Sequence, residues 1–206
     1  MDNIRISNQK KSKRGSLLIF ILFLALVISL GGLLGWGLYR CGFGISPKQK
    51  TVSYYAVCFG DAGTKTEADQ IGQELQLKGG AGYVTDNNQV LASIYTSKEQ
   101  AQNVVRNNPD YAGKVVTISV LAEYKNEQKI LNSLIQLSID FDKTQDSAQC
   151  IKSLDDITKL ASELEFNRAG FKSYLSRMVS VVKNMNSNLC YGLNYLSVSI
   201  ADFLSA

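Results

Sequence analysis

The chain has 206 residues, a net charge of +4, four cysteines and no histidine. Without histidine, a Ser-His-Asp triad, a Cys-His pair and most catalytic zinc sites are excluded. Basic residues cluster at the start of the chain, at Arg5, Lys10, Lys11, Lys13 and Arg14. Because the excess charge is local, it does not form a nucleic-acid footprint, and we expect no nucleic-acid partner.

An uncharged stretch follows this basic cluster. The run from Leu17 to Tyr39 is about 34 Å long as a helix, enough to cross a hydrocarbon core. Trp36 near its end is typical of an interfacial aromatic belt. The alternative is a cleaved signal peptide, but such peptides have shorter apolar runs, and Arg40 is unsuited to a cleavage site. We therefore predict one transmembrane helix over residues 16–39.

The charge on either side of this helix predicts its orientation. Basic residues are more numerous before it than directly after it, which places the tail over residues 1–15 in the cytoplasm. Residues 40–50 are rich in glycine and contain Pro47, as a linker does. The expectation is a single-pass protein of the cell membrane, in contact with the lipid bilayer, whose C-terminal domains are extracytoplasmic.

The segment over residues 51–124 predicts an α+β domain with the order β-α-β-β-α-β, a split β-α-β or ferredoxin-like fold. Thr51 to Gly60 is rich in β-branched and aromatic residues and bounded by glycine, which indicates a strand. Thr64 and Glu67 form a capping-box pattern at the start of a helix. The later elements are a strand over Ala81–Thr85, a strand over Val90–Thr96, a helix from Ser97 with Gln100 as its capping partner, and a strand over Lys114–Glu123.

The segment over residues 125–206 has a different hydrophobic period. Its apolar residues recur at steps of three and four, as in amphipathic helices. Breaks fall near Asp146-Ser147 and between Asn167 and Gly170. Three or four helices that bury their apolar stripes against each other predict a small α-helical bundle.

Several short motifs of the α+β domain are shared with a known family. The first strand contains Tyr54-Tyr55-Ala56-Val57-Cys58-Phe59-Gly60, and the third contains Val90 to Tyr95, followed by Ser97-Lys98-Glu99-Gln100-Ala101. Between them lies KGGAGYV at residues 78–84. These motifs, over about residues 51–122, resemble a SPOR domain, the sporulation-related repeat of bacterial envelope proteins, in its divergent Firmicutes form. The chain departs from the family pattern where Val57 replaces a glutamine and Ser93-Ile94 replaces Gly-Pro.

The resemblance implies a function in the cell envelope. SPOR domains bind peptidoglycan, in particular glycan strands stripped of their stem peptides, at division or sporulation septa. The implied partners are peptidoglycan and other envelope or divisome proteins. The competing hypothesis is a non-enzymatic scaffold that recruits another envelope protein through its sheet face and helical bundle.

Strand alternation predicts the residues of a glycan-binding face. Tyr55, Val57 and Phe59 share one face of the first strand, and Leu91 and Tyr95 join them from the neighbouring strand. Aromatic rings beside polar groups are suited to stacking on sugar rings. The alternative is that the C-terminal helices pack over this face and bury it.

No catalytic centre is predicted. The acidic pairs Asp140 with Asp142 and Asp155 with Asp156 are typical of solvated helix faces. The cysteines lack the spacing of a metal motif, so we expect neither a metal nor a cofactor. Cys150 and Cys190 lie near apolar helix stripes and are candidates for a disulfide in an oxidising compartment.

Overall fold

The computed structural model describes residues 49–185 and 188–205. In this part of the chain, four strands form one antiparallel sheet in the order β2-β3-β1-β4. The strands are β1 (Thr51–Asp61), β2 (Tyr83–Val84), β3 (Gln89–Tyr95) and β4 (Lys114–Leu121). The helices are α1 (Lys65–Leu77), α2 (Lys98–Asn107), α3 (Lys125–Thr144), α4 (Ser147–Glu163), α5 (Phe171–Asn184) and α6 (Leu189–Ser205).

The two predicted capping boxes have different outcomes. At α1, the Thr64 hydroxyl accepts a hydrogen bond from Glu67 N, and Glu67 Oε2 accepts one from Gly63 N. At α2, Ser97 is the N-cap but makes no side-chain capping bond, so the predicted box there is wrong. Gln100, the predicted capping partner of Ser97, lines a surface groove.

Both faces of the sheet are covered by helices. Val57 belongs to a core cluster that includes Ala68 of α1 and Ala101 of α2. Ala56 and Cys58, the neighbours of Val57 along the strand, belong with Tyr54 to the core shared with the C-terminal helices. The alternation of β1 is therefore as predicted. However, α1 and α2 cover the face of Tyr55, which was expected to be open, and the C-terminal helices cover the opposite face.

Two register shifts displace side chains between β1 and β3. The pairing passes from Val57 with Ser93 to Cys58 with Leu91, which leaves Ala92 as an extra residue on β3. Because a bulge breaks the period of two, side chains on its two sides change phase. Leu91 consequently lies in the C-terminal core, whereas Tyr95 packs with the α1 and α2 cluster. The prediction that these two residues share one face is wrong.

The C-terminal helices share one hydrophobic core with the sheet. Helix α6 contains the longest apolar stretch of the described chain and packs on β3 and β4, and α3 packs on α6. The shared core runs from Tyr54 of β1 through Ile130 of α3 and Phe171 of α5 to Leu204 of α6. From Gln49 onward the chain forms one compact unit.

The predicted fold class and localisation need correction. They included a single transmembrane helix, yet within residues 49–185 and 188–205 no helix is both long enough and apolar enough to cross a bilayer. The α+β part of the fold class describes what is observed, a four-stranded antiparallel sheet with six helices. The single-pass membrane prediction is not supported. The segment over residues 16–39 on which it depended lies outside the described residues.

Candidate functional site

A groove of about 590 Å³ lies where α2, β3, the turn after α1 and the helices α3 and α6 meet. We call it the α2 groove. Its volume is within the range of about 300–1,000 Å³ that is typical of sites for small ligands. Its lining has an amide wall on α2, an aromatic end, and a wall contributed by α3 and α6.

One face of α2 forms the amide wall. Gln100, Asn103, Val104 and Asn107 line the groove at the spacing of one helix face. The three amide side chains are exposed to solvent. Each amide offers a carbonyl acceptor and two N–H donors, so this wall can bond a ligand that carries hydroxyl and acetamido groups.

Three aromatic rings lie at the groove as well: Phe59 from β1, Tyr95 from β3 and Tyr111 from the loop before β4. The rings of Phe59 and Tyr111 are 5.0 Å apart between centroids, at an angle of 39°. All three residues are half-buried, so part of each ring is accessible. Burial raises the pKa of the Tyr95 hydroxyl, which therefore remains a donor at neutral pH.

Lys78 connects the turn after α1 to this aromatic end. Its Nζ donates a hydrogen bond to the Tyr111 hydroxyl and lies 4.7 Å from the centre of that ring. The bond to Tyr111 holds the pKa of Lys78 above its usual value, with a further contribution from Coulombic interaction with the same group. A cation is thus present at the groove, next to rings that can stack on a ligand.

The turn after α1 is held by Asn194 of α6. The Asn194 amide donates to Gly79 O over 3.0 Å, and its own oxygen accepts from Ser138 Oγ of α3 over 2.7 Å. Gly79 has φ +86°, and a Cβ there would lie 3.1 Å from Cys190 Sγ. A side chain at this position would be strained and crowded, which explains the glycine. The C-terminal helices therefore position one wall of the groove.

The remaining charges of the groove come from the end of α3. Asp142 and Lys143 line it there, opposite Lys78. Both residues are exposed. With two cations and one carboxylate, the lining carries a small positive excess, which suits a neutral or weakly acidic ligand.

The five residues predicted to bind glycan are separated by the structure. Phe59 and Tyr95 line the α2 groove. Val57 and Leu91 are 0% and 2% exposed, so neither can contact a ligand, and the prediction is wrong for both. Tyr55 pairs with Tyr95 across the strands and is half-buried, but it packs with the α1 and α2 cluster and does not line the groove.

Sequence reasoning missed the amide wall. Gln100 was interpreted as a helix cap, and Asn103 and Asn107 were given no role. The signal was present in the sequence, since amides at positions 100, 103 and 107 fall on one side of a helix. The contribution of Asn194 carried no comparable signal, because it depends on how α6 packs against the turn after α1.

The predicted disulfide is not formed, since Cys150 and Cys190 are both free thiols. Cys150 is buried in α4, whereas Cys190 lies at the start of α6 beside Gly79 and the groove. The two thiols thus face different neighbours. Burial raises the pKa of both, and the Asp142 carboxylate adds to the shift at Cys190.

Comparisons with known proteins give no relative: no protein-family model, curated protein or solved structure matches this chain significantly.

Proposed function

We propose that this protein binds glycan strands of peptidoglycan in the α2 groove and does not itself catalyse a reaction. The observation that carries the proposal is the combination of half-buried aromatic rings with an exposed row of amides along one groove. Ring faces cover the C–H surface of sugars, while amides bond hydroxyl and acetamido groups.

The location of the groove adds to this argument. Phe59 and Tyr95 belong to the two strands whose motifs resemble the SPOR family, and Gln100 belongs to the motif after the third strand. The proposed site therefore uses SPOR-like segments, but at the junction of β3, α2 and the C-terminal helices rather than on an open sheet face. A role at division or sporulation septa is part of the same proposal.

The scaffold hypothesis has less support. It used the sheet face and the helical bundle, but helices cover both faces over most of the described sheet. Among the described residues, the large hydrophobic side chains that are exposed are Val52, Leu77 and Val181. They come from three different elements, β1, α1 and α5, whereas protein interfaces are marked by contiguous apolar patches.

Sedimentation of the full chain with purified sacculi tests the proposal. The sacculi are first treated with protease to remove envelope proteins and with amidase to remove stem peptides. We expect the wild type to sediment with them, and the double variant Asn103→Ala/Asn107→Ala to bind at least tenfold more weakly, because it loses two of the three amides of the amide wall. Alanine is the better helix former, so α2 itself is preserved.

Gln102→Ala is the matched control. Gln102 also belongs to α2 but lies away from the groove, in a shallow cleft next to Lys98 and Arg106. This variant should bind as the wild type does. If the wild type does not sediment with protease-treated sacculi, or if the double variant and the control bind equally well, glycan binding in the groove is wrong. Binding that disappears on protease treatment would favour the scaffold.

A further inference from the structure

Among the described strands, β4 lies at an edge of the sheet and has an unpaired outer side. Its one neighbour in the described part of the chain is β1. Ala122 N donates to Lys50 O, so the hydrogen-bonded pairs with β1 fall on even-numbered residues of β4. The backbone groups of Val115, Thr117 and Ser119 therefore point outward. Over residues 49–185 and 188–205, no hydrogen-bond partner satisfies these outward groups.

The outward direction is confirmed at the end of the strand. Leu121, the next odd-numbered residue, directs its carbonyl away from β1, where it accepts bonds from Tyr124 N and Gln128 Nε2. The chain thus covers the outer side of Leu121 and leaves the outer side of the preceding residues open.

The open edge lacks the features that usually prevent pairing. It is eight residues long, contains no proline, and pairs with β1 without a register shift. Its one charged residue, Lys114, is at its first position, and the Thr117 and Ser119 side chains are exposed. An edge of this kind is a template for pairing with a further strand.

We propose that β4 pairs with β4 of a second copy of this chain, antiparallel and centred on Ile118. This register gives like residues across the open part of the edge: Ile118 faces Ile118, Thr117 faces Ser119, and Val116 faces Val120. Hydroxyl meets hydroxyl and apolar meets apolar at these positions, which stabilises cross-strand pairs.

The same register also satisfies the backbone. Thr117 and Ser119 both have outward N–H and C=O groups, so each Thr117–Ser119 pair exchanges two hydrogen bonds. A two-fold axis perpendicular to the sheet generates the second pair and keeps corresponding faces on the same side. The near-palindromic sequence from Val116 to Val120 favours a second copy as the occupant, because this partner matches the side chains as well as the backbone groups.

Position-specific cross-linking of the full chain tests this pairing. In the proposed register the Cα atoms of Thr117 and Ser119′ are about 5.5 Å apart, within disulfide reach, whereas two copies of Thr117 are roughly 8–9 Å apart. Under oxidation, an equimolar mixture of T117C and S119C chains should give at least tenfold more disulfide-linked dimer than either variant alone. The wild type, with the native cysteines, measures the background.

Two results would overturn the proposal: a mixture that gives no dimer above background, or T117C chains that cross-link among themselves as well as with S119C. The first points to another occupant of the edge, such as residues 1–48 or a different protein. The second shows a different register. Because the bond must form at these positions, association through any other part of the chain does not imitate the expected result.

A backbone variant gives independent evidence. Ser119→Pro removes one outward N–H and leaves the bonds between β1 and β4 intact, as proline is tolerated on edge strands. We expect its dimer to dissociate at a concentration at least tenfold higher than that of the matched control Ser119→Ala. If S119P loses its circular dichroism signal, Ser119→Lys replaces it, since this residue keeps the N–H and brings like charges together near the axis. Equal dissociation of the folded variant and the control would overturn the pairing.

Discussion

Tyr83 of β2 donates a hydrogen bond of 2.7 Å to the Asp202 carboxylate near the end of α6. The Tyr83 ring also meets the Tyr195 ring edge to face, with centroids 5.6 Å apart. These contacts attach the short edge strand β2 to the last helix of the described chain. Burial and the bond to Asp202 raise the pKa of the Tyr83 hydroxyl.

Replacing Tyr83 by Phe should lower the free energy of unfolding by about 1–3 kcal/mol, since a hydrogen bond to a charged acceptor is lost while the ring contact stays. Urea unfolding of Y83F, D202N and the double variant measures the coupling between the two groups. The losses of unfolding free energy in Y83F and D202N should be strongly non-additive, so that the double variant loses less than the sum of the two single variants. Effects that simply add would show that the bond does not stabilise the native state.

The Tyr54 hydroxyl is buried and has no hydrogen-bond partner in the described structure. An unsatisfied buried hydroxyl costs about 1–3 kcal/mol, so Tyr54→Phe should leave the protein equally stable or stabilise it by about 1 kcal/mol at pH 7. Thermal unfolding of the two proteins measures the difference. A Y54F protein that is clearly less stable would reveal a partner for this hydroxyl.

The same residue predicts a response to alkaline pH. Burial raises the pKa of Tyr54 to about 12, above the value of about 10 expected in the unfolded chain. The native state thus favours the protonated form, whose stabilising effect is complete below pH 10 and is lost as the pH rises towards 12. The stability of the wild type relative to Y54F should fall across this window. A constant difference between the two would contradict the burial of the hydroxyl.

Cys190 reports on the α2 groove. Its thiol is half-buried at the groove, with a pKa raised by burial and by Asp142, so alkylation at pH 7 should be slow. Bound amidase-treated glycan should slow it at least threefold further, measured by mass spectrometry of the modified peptide. Cys150, which is buried away from the groove, is the internal control. If saturating glycan leaves the alkylation rate of Cys190 unchanged, the ligand binds elsewhere.

Local signals predicted the strands and helices between residues 51 and 124 well. The strand at Thr51 and the capping box at Thr64 and Glu67 depend on neighbouring residues, which a sequence displays directly. The site was harder to predict for two physical reasons. Alternation shows which side chains share a face of the sheet but not which helices cover that face. Val57 was therefore expected on an open face, whereas α1 and α2 cover it. The extra residue Ala92 then moved Tyr95 out of phase with Leu91.

The groove itself depends on contacts that no local pattern encodes. Asn194 reaches Gly79 across 115 positions of the chain, and this bond brings α6 to the turn after α1. The amide row of α2 could have been found from its helical spacing, but its partner walls could not. Phe59 and Tyr95 were predicted from strand alternation together with their aromatic character, and both line the same groove as that row.

The shared core has a consequence for the synthesis of this protein. The apolar side chains of Tyr54, Ala56 and Cys58 leave the ribosome long before α6, the helix that covers their face of the sheet. Until then, a nascent chain carries an uncovered strand surface, the condition in which chains aggregate or engage chaperones. Folding of the sheet is therefore delayed by its dependence on distant contacts. Cleavage between α5 and α6 would return the protein to that vulnerable state.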